Sequence, residues 1–263
     1  MDNSVNKQTP SAATALILLA VGCAGPRIDE SKLVDLTYSF NDRTVYWPTA
    51  RKFELTPAAH GFDDHGRWYA SNDFAASEHG GTHLDAPIHF AAEGWTSEEI
   101  PVSRLTGPAR VIDITDRCAA DVDYRLAPED IERHERRYGR IDPGTVVLIH
   151  TGFGRRYPDL SSYLGSDVPG MAEDLHFPGI GADAARILVE REIDLVGLDT
   201  ASLDYGPSRD FVAHRILNGA NVPGIENLAN LHRIPAKGAT IVALPMKIEG
   251  GTGGPCRVIA ILP

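Results

Sequence analysis

Residues 77–90 read Ser-Glu-His-Gly-Gly-Thr-His-Leu-Asp-Ala-Pro-Ile-His-Phe, and no other stretch narrows the fold and chemistry of this chain as much. His79, His83, Asp85 and His89 occupy odd positions, whereas Leu84, Ala86, Ile88 and Phe90 occupy even ones. An extended backbone alternates its side chains, so such a segment projects the four polar groups from one face and the apolar groups from the other. The i, i+4 spacing of His79 and His83 also suits a helical metal motif, but Gly80-Gly81 and Pro87 oppose a helix here. An extended, locally bulged run is therefore expected. Two imidazoles and a carboxylate within seven residues form a ready ligand set for Zn2+ or Mn2+. His89 lies beyond them, and an imidazole with an ordinary pKa of about 6.5 suits proton transfer. Three histidines and an aspartate sharing one face would carry a heavy desolvation cost if buried without an ion or partners, which disfavours a purely structural role.

The remainder of the 263 residues is a frame for that run, long enough to enclose a site in one core. Residues 109–114 and 145–150 are β-branched apolar runs bounded by Gly107-Pro108 and Pro143-Gly144, the punctuation of strands entering a buried sheet. Residues 128–138 between them are charged, begin with a proline and are followed by Gly139, as a surface helix would be. Further helices are expected over 182–192 and 209–217. Strands are expected over 34–38, 44–47, 195–198, 240–244 and 257–262. The result is a single mixed α/β domain with no internal repeat.

Charge and cysteine usage exclude several partners. Lys and Arg number 25 against 36 Asp and Glu, a net charge of −11 that repels phosphate backbones, so no nucleic acid is expected. Three cysteines do not make a disulfide framework. Residues 12–21 are continuously apolar, too short for the roughly 20 residues of a membrane-spanning helix but suited to the core of an export signal. Ala20-Val21-Gly22-Cys23 resembles the site at which bacterial lipoproteins are cleaved and acylated on the new N-terminal cysteine. The chain thus divides into a signal over 1–22, a short linker over 23–30 and a domain over 31–263. Export to the periplasmic side of a bacterial membrane, with a lipid anchor on Cys23, is expected; if the signal reading fails, the protein is cytoplasmic. Cys118 and Cys256 then remain, either paired or as two inert core thiols.

The run HGGTHLDAPIHF resembles the His-x-Gly-Thr-His-x-Asp-x-Pro-x-His signature of the cyclase family of metal-dependent hydrolases, which includes bacterial kynurenine formamidases (arylformamidases) and isatin hydrolases. The likeness extends over nearly all of the chain past the signal and implies a mixed-sheet domain of the swivelling β/β/α type. It implies that His79, His83 and Asp85 hold metal, joined by His214 and Glu226, whose types and twelve-residue spacing match the family's second ligand segment. Asp85 would bridge if two ions bind. The likeness also makes His89 the catalytic acid/base and Trp47, in Tyr46-Trp47-Pro48, a wall of the substrate pocket. A homo-oligomer and a small aromatic amide substrate are further implications. Read without the family, Glu226 is a helix N-terminal carboxylate ahead of Leu228 and Leu231.

Two substrates compete. An isatin-hydrolase-like enzyme opens a cyclic aryl amide, whereas an arylformamidase releases formate from N-formylkynurenine. The latter arises in the cytoplasm, so an export signal favours the cyclic amide, as does the likeness of residues 247–253 to the isatin hydrolase branch. A third reading, a metal-binding surface lipoprotein without activity, leaves His89 without a purpose. His134 on a charged surface helix, His150 at a strand end, and His176 and His232 in loops read as structural. His60 and His65, with Trp68, Tyr69 and Phe74, stand in an insertion-like stretch that either lines the pocket or forms a solvated loop. Ser202 and Ser208 lack the Gly-x-Ser-x-Gly elbow of a serine hydrolase. Residues 249–255, rich in glycine but without the Lys-Ser/Thr of a phosphate loop, read as a turn at the pocket's edge.

Overall fold

The computed structural model describes Met1 and residues 28–263. The signal expected over 1–22, apart from Met1, and the expected linker up to residue 27, Cys23 included, lie outside the described residues. Among the described residues no helix is long and apolar enough to cross a membrane.

Strand β1 (Leu33–Asp35) opens the domain, followed by the hairpin of β2 (Glu54–Phe62) and β3 (Trp68–Ala75). The motif strand β4 (His83–Asp85) precedes β5 (Thr106–Asp113), helix α1 (Thr115–Ala120), the short β6 (Arg125–Leu126) and helix α2 (Pro128–Tyr138). Next come β7 (Val146–His150), α3 (Leu160–Leu164), β8 (Gly179–Ile180), α4 (Ala182–Glu190) and β9 (Leu195–Leu198). Helix α5 (Val212–Gly219), β10 (Gly224–Glu226), β11 (Lys237–Pro245) and β12 (Gly253–Ile261) complete the chain. Eight strands form one sheet in the order β1-β12-β11-β5-β7-β9-β10-β4. Its middle strands β5, β7, β9 and β10 run parallel, as βα crossovers require, and the flanking strands are antiparallel. Strand β4 pairs with β10 on one side and β12 on the other, so the sheet wraps into a barrel-like shape closed at the motif.

Alternation along the strands divides the core in two. Val146, Leu148, Leu195, Leu84, Ile241 and Val258 fill the inside of the wrapped sheet. Val147, Ile149, Val196 and Leu198 face outward onto Ile131 of α2, Ala184 and Leu188 of α4 and Leu217 of α5. All five residues of β7 are buried, which is why that strand reads as an unbroken Val-Val-Leu-Ile run instead of alternating. Cys118 belongs to the outer core and Cys256 to the inner one, and both are free thiols. Burial, reinforced by Asp199, pushes the Cys118 thiol up to about 12, which keeps it inert.

Several expectations change on folding. Residues 44–47 form no strand and make only a single bridge, Tyr46 to Gly80. The first strand stops at Asp35: the Leu36 N–H still reaches the Val258 carbonyl, but the Val258 N–H goes to the Thr37 hydroxyl at 2.8 Å instead of to a backbone carbonyl. His134 is buried, 6% exposed, since α2 turns that side toward the sheet. The glycine-rich stretch does not end as a turn: Gly253 and Gly254 are already strand, paired with Asp85 and Leu84. The stretch holding His60 and His65 is neither pocket wall nor loop but the β2–β3 hairpin.

Candidate active site

Three elements bring the motif and the distant ligand segment together. Strand β4 carries His83 and Asp85, both at least 98% buried. Antiparallel pairing sets Glu226 of β10 opposite His83, and α5 delivers His214 from the side. The motif threonine clamps this junction: Thr82 Oγ1 donates to the Asn227 carbonyl at 2.7 Å and accepts from the Tyr38 amide at 3.0 Å. Gly80 is also required, because a Cβ there would lie 2.0 Å from the Tyr46 ring. The position that is variable in the signature is therefore sterically committed in this chain.

Extended alternation holds only through Asp85. Pro87 then starts a single 3-10 turn, Pro87–His89, and α5 packs against it. His89 arrives at the site from that turn and not from the face of a strand. Its ring stacks on His79 with centroids 3.9 Å apart and planes 19° apart, and lies 6.1 Å from that of His214.

The five proposed ligands converge as two triads sharing Asp85: His79, His83 and Asp85, and Asp85, His214 and Glu226, with donor atoms in each within 4.8 Å of one another. His79 Nδ1 is 2.6 Å and His83 Nε2 3.2 Å from Asp85 Oδ1. His214 Nε2 is 3.2 Å from both Asp85 Oδ2 and Glu226 Oε1. Each imidazole is tied outward by its other nitrogen. His83 Nδ1 donates to the Gly81 carbonyl at 2.9 Å, and His214 Nδ1 to Asp204 at 2.7 Å. His79 Nε2 donates at 2.8 Å to Thr252 Oγ1, whose own hydrogen goes to Glu78 at 2.6 Å. Neutral rings held this way present three lone pairs to two carboxylates, the one donor there being the Leu203 backbone N–H on Glu226 Oε1 at 2.9 Å, and His83 Nε2 is buried without a hydrogen-bond partner. Such a centre needs positive charge.

The electrostatics agree. Burial presses the His83 ring toward neutrality, yet the Asp85 carboxylate 3.2 Å from its Nε2 and the Glu226 charge lift it to about 9, so that without a cation a proton takes up the positive charge the centre calls for. Burial and the nearby Asp85 charge raise the Glu226 carboxyl against the pull of the histidines. Oxygen and imidazole donors of this kind, shared through a bridging carboxylate, fit one or two divalent cations. His89 behaves differently: burial drives it down to about 4, with Asp85 opposing and the other histidines adding to the fall. It is a neutral imidazole at pH 7, not the imidazolium that an unshifted ring would partly be.

A cavity of about 290 Å3 opens onto these groups. Trp47 lines it as expected, together with Phe90 and Phe211, whose rings lie 5.2 Å apart. His60, His65, His134, His150, His176 and His232 do not line it. A larger cleft of about 430 Å3 at the ends of β5 and β7 is lined by Asp113, Asp130, His134, His150 and His232, but no three of them bring their donor atoms together as a metal would need. Asp204, Glu78, Thr252, Phe90 and Phe211 escape the sequence reading. The one signal for the first three is general: a ligating histidine needs a partner for its second nitrogen.

Comparison with known proteins gives the same picture. The cyclase family model matches residues 34–205. An isatin hydrolase of Roseibium aggregatum is 36% identical over 211 residues, covering 77% of this chain and 78% of the relative. A kynurenine formamidase of Salinibacter ruber is 28% identical over 229 residues, covering 86% and 96%. The crystal structure of an isatin hydrolase bound to the product analogue thioisatinate superposes with a TM-score of 0.79 at 32% identity, covering 88% of this chain and 92% of that one. With the motif, the wrapped sheet and these relatives in agreement, the chain belongs to the cyclase family.

Proposed function

We propose that this enzyme hydrolyses the amide bond of a small cyclic aryl amide, opening isatin to isatinate. The observation that carries the proposal is the pairing of two converging His/Asp/Glu triads with a neutral His89 stacked beside them, under an aromatic-walled cavity of about 290 Å3. His79, His83, Asp85, His214 and Glu226 would hold Zn2+ or Mn2+, one ion per triad or a single ion in one of them. Bound there, the metal supplies Lewis acidity, which acidifies water and polarises a substrate carbonyl.

The chain's own residues supply the rest. Trp47, Phe90 and Phe211 offer flat apolar surface to a fused aromatic ring and exclude water from it. His89, neutral at its Nε2 or Nδ1 acceptor, takes the proton from the attacking water. The C–N bond then breaks, and His89 returns that proton to the departing amide nitrogen, so the ring ends the cycle neutral. In a cyclic substrate both products of cleavage, the amine and the carboxylate, stay on one molecule. Hydrolysis of N-formylkynurenine is the second reading, favoured by the formamidase relative. Side-by-side initial rates on the two substrates test the choice: faster turnover of isatin is expected, and rapid deformylation without isatin opening reverses it. Metal analysis before and after chelation separates both from a metal-binding protein without activity.

The N-terminal segment adds a location. An apolar run over 12–21 ahead of Cys23 supports export and acylation, which would put the site where an environmental heterocycle meets it. Fractionation of cells expressing wild type and Cys23→Ser tests this: wild type should sediment with membranes and the variant should not. Family likeness also supports a homo-oligomer.

A further inference from the structure

The cleft of about 430 Å3 between α2 and residues 231–236 shares no lining residue with the catalytic cavity. It lies where the parallel strands β5 and β7 end, at Asp113 and His150, the side of an α/β sheet on which ligands gather. Its charge runs against that of the chain. In a protein of net charge −11, three arginines at the rim, Arg133, Arg137 and Arg155, stand with only two carboxylates, Asp113 and Asp130.

Both carboxylates are already engaged. Asp130 accepts from the Tyr124 hydroxyl at 2.8 Å and the Ala127 N–H at 3.0 Å, and holds Arg133 at 2.9 Å. Asp113 accepts the N–H and hydroxyl of Thr115 at 2.9 and 2.7 Å and lies 3.6 Å from His150 Nδ1. Arg137 and Arg155 are different. Among the described residues neither guanidinium has a carboxylate or hydrogen-bond partner, and that of Arg137 lies over the Tyr138 ring at 5.2 Å. His134 also lines the cleft, is 6% exposed and leaves Nε2 without a hydrogen-bond partner. The floor is apolar, formed by the buried Val111, Ile112, Leu231 and Ile234.

We propose that this cleft binds a small aromatic carboxylate, its ring on the apolar floor and its charge on the unpaired guanidinium groups at the rim. A guanidinium presents paired N–H donors that match the two oxygens of a carboxylate. The volume lies within the roughly 300–1,000 Å3 of small-molecule sites. Inorganic phosphate would use the arginines and leave the floor bare, whereas a neutral arene would use the floor and leave the arginines unpaired. The site is distinct from the metal triads and does not depend on which amide the enzyme opens.

Its test therefore reads binding and not turnover. Isothermal titration of the metal-loaded enzyme with benzoate, benzamide and inorganic phosphate compares wild type with the double variant Arg137→Gln, Arg155→Gln. Neither side chain lines the catalytic cavity, so equal turnover by both proteins checks that the fold is intact. Any benzoate held at the catalytic metal is common to both, and the difference between them belongs to the cleft. Wild type should show a benzoate site that weakens about tenfold or more in the double variant and weakens with added salt. Identical benzoate titrations overturn the proposal. Benzamide filling the same site as tightly overturns the role of charge, and phosphate doing so overturns the aromatic carboxylate in favour of a simple inorganic anion.

Discussion

Asp204 accepts the Nδ1 hydrogen of His214 at 2.7 Å, and in doing so decides that Nε2 faces Asp85 and Glu226. The same carboxylate accepts the backbone N–H groups of Ala213 and His214, so one side chain both starts α5 and aims its ligand. An amide in its place can present a donor to Nδ1 and release the tautomer. Asp204→Asn is therefore expected to lower metal affinity by about 10- to 100-fold while keeping the fold. Competition with a chromophoric chelator measures it, and unchanged affinity would assign Asp204 to the helix start alone.

His89 touches the site without belonging to either triad. Removing its ring should leave metal binding intact and take away the proton relay, a loss of about 10²–10⁴-fold in kcat. His89→Ala with normal metal content and normal turnover would transfer the role to another group.

The motif was the most legible part of the site because alternation and ligand spacing are local properties. His83 and Asp85 follow that logic directly, whereas His89 reaches the same place through a turn that Pro87 imposes and alternation does not describe. His214 and Glu226 are different in kind. Their approach depends on the β4–β10 register and the docking of α5, so only family likeness could couple them to the motif. Asp204, Thr252 and Glu78 lie beyond both routes, since carboxylates and threonines in loops carry no periodic signature. The buried strands read well as β-branched runs, but the β2–β3 arm did not, because with no buried face its strands have no alternation to read.

The centre should also be a stability element. Asp85 and Glu226 are buried at least 95% with no basic side chain other than histidine against them, so cation binding relieves repulsion in the folded state alone. Chelation should lower Tm, and cation at 100 times its Kd should stabilise by about 2.7 kcal/mol. Calorimetry with and without chelator checks this, and Asp85→Asn, which weakens both triads, should abolish most of the difference. An identical Tm in both conditions would contradict the ligand assignment.

His134 gives a pH dependence away from the catalytic centre. Burial, aided by the charge of Arg110 and opposed by Glu135, drives its pKa down to about 4, and its Nε2 has no hydrogen-bond partner. An unfolded histidine titrates at about 6.5. Between those values the unfolded chain binds the proton and the folded chain does not, so stability rises with pH across the window and is lost as pH falls through it. The full span is worth on the order of 3 kcal/mol, all of it recovered above about pH 6.5. Urea unfolding between pH 7 and 4 measures the slope. His134→Leu, which has no proton to bind, should flatten this component, and a slope unchanged by the substitution would place the acid sensitivity elsewhere.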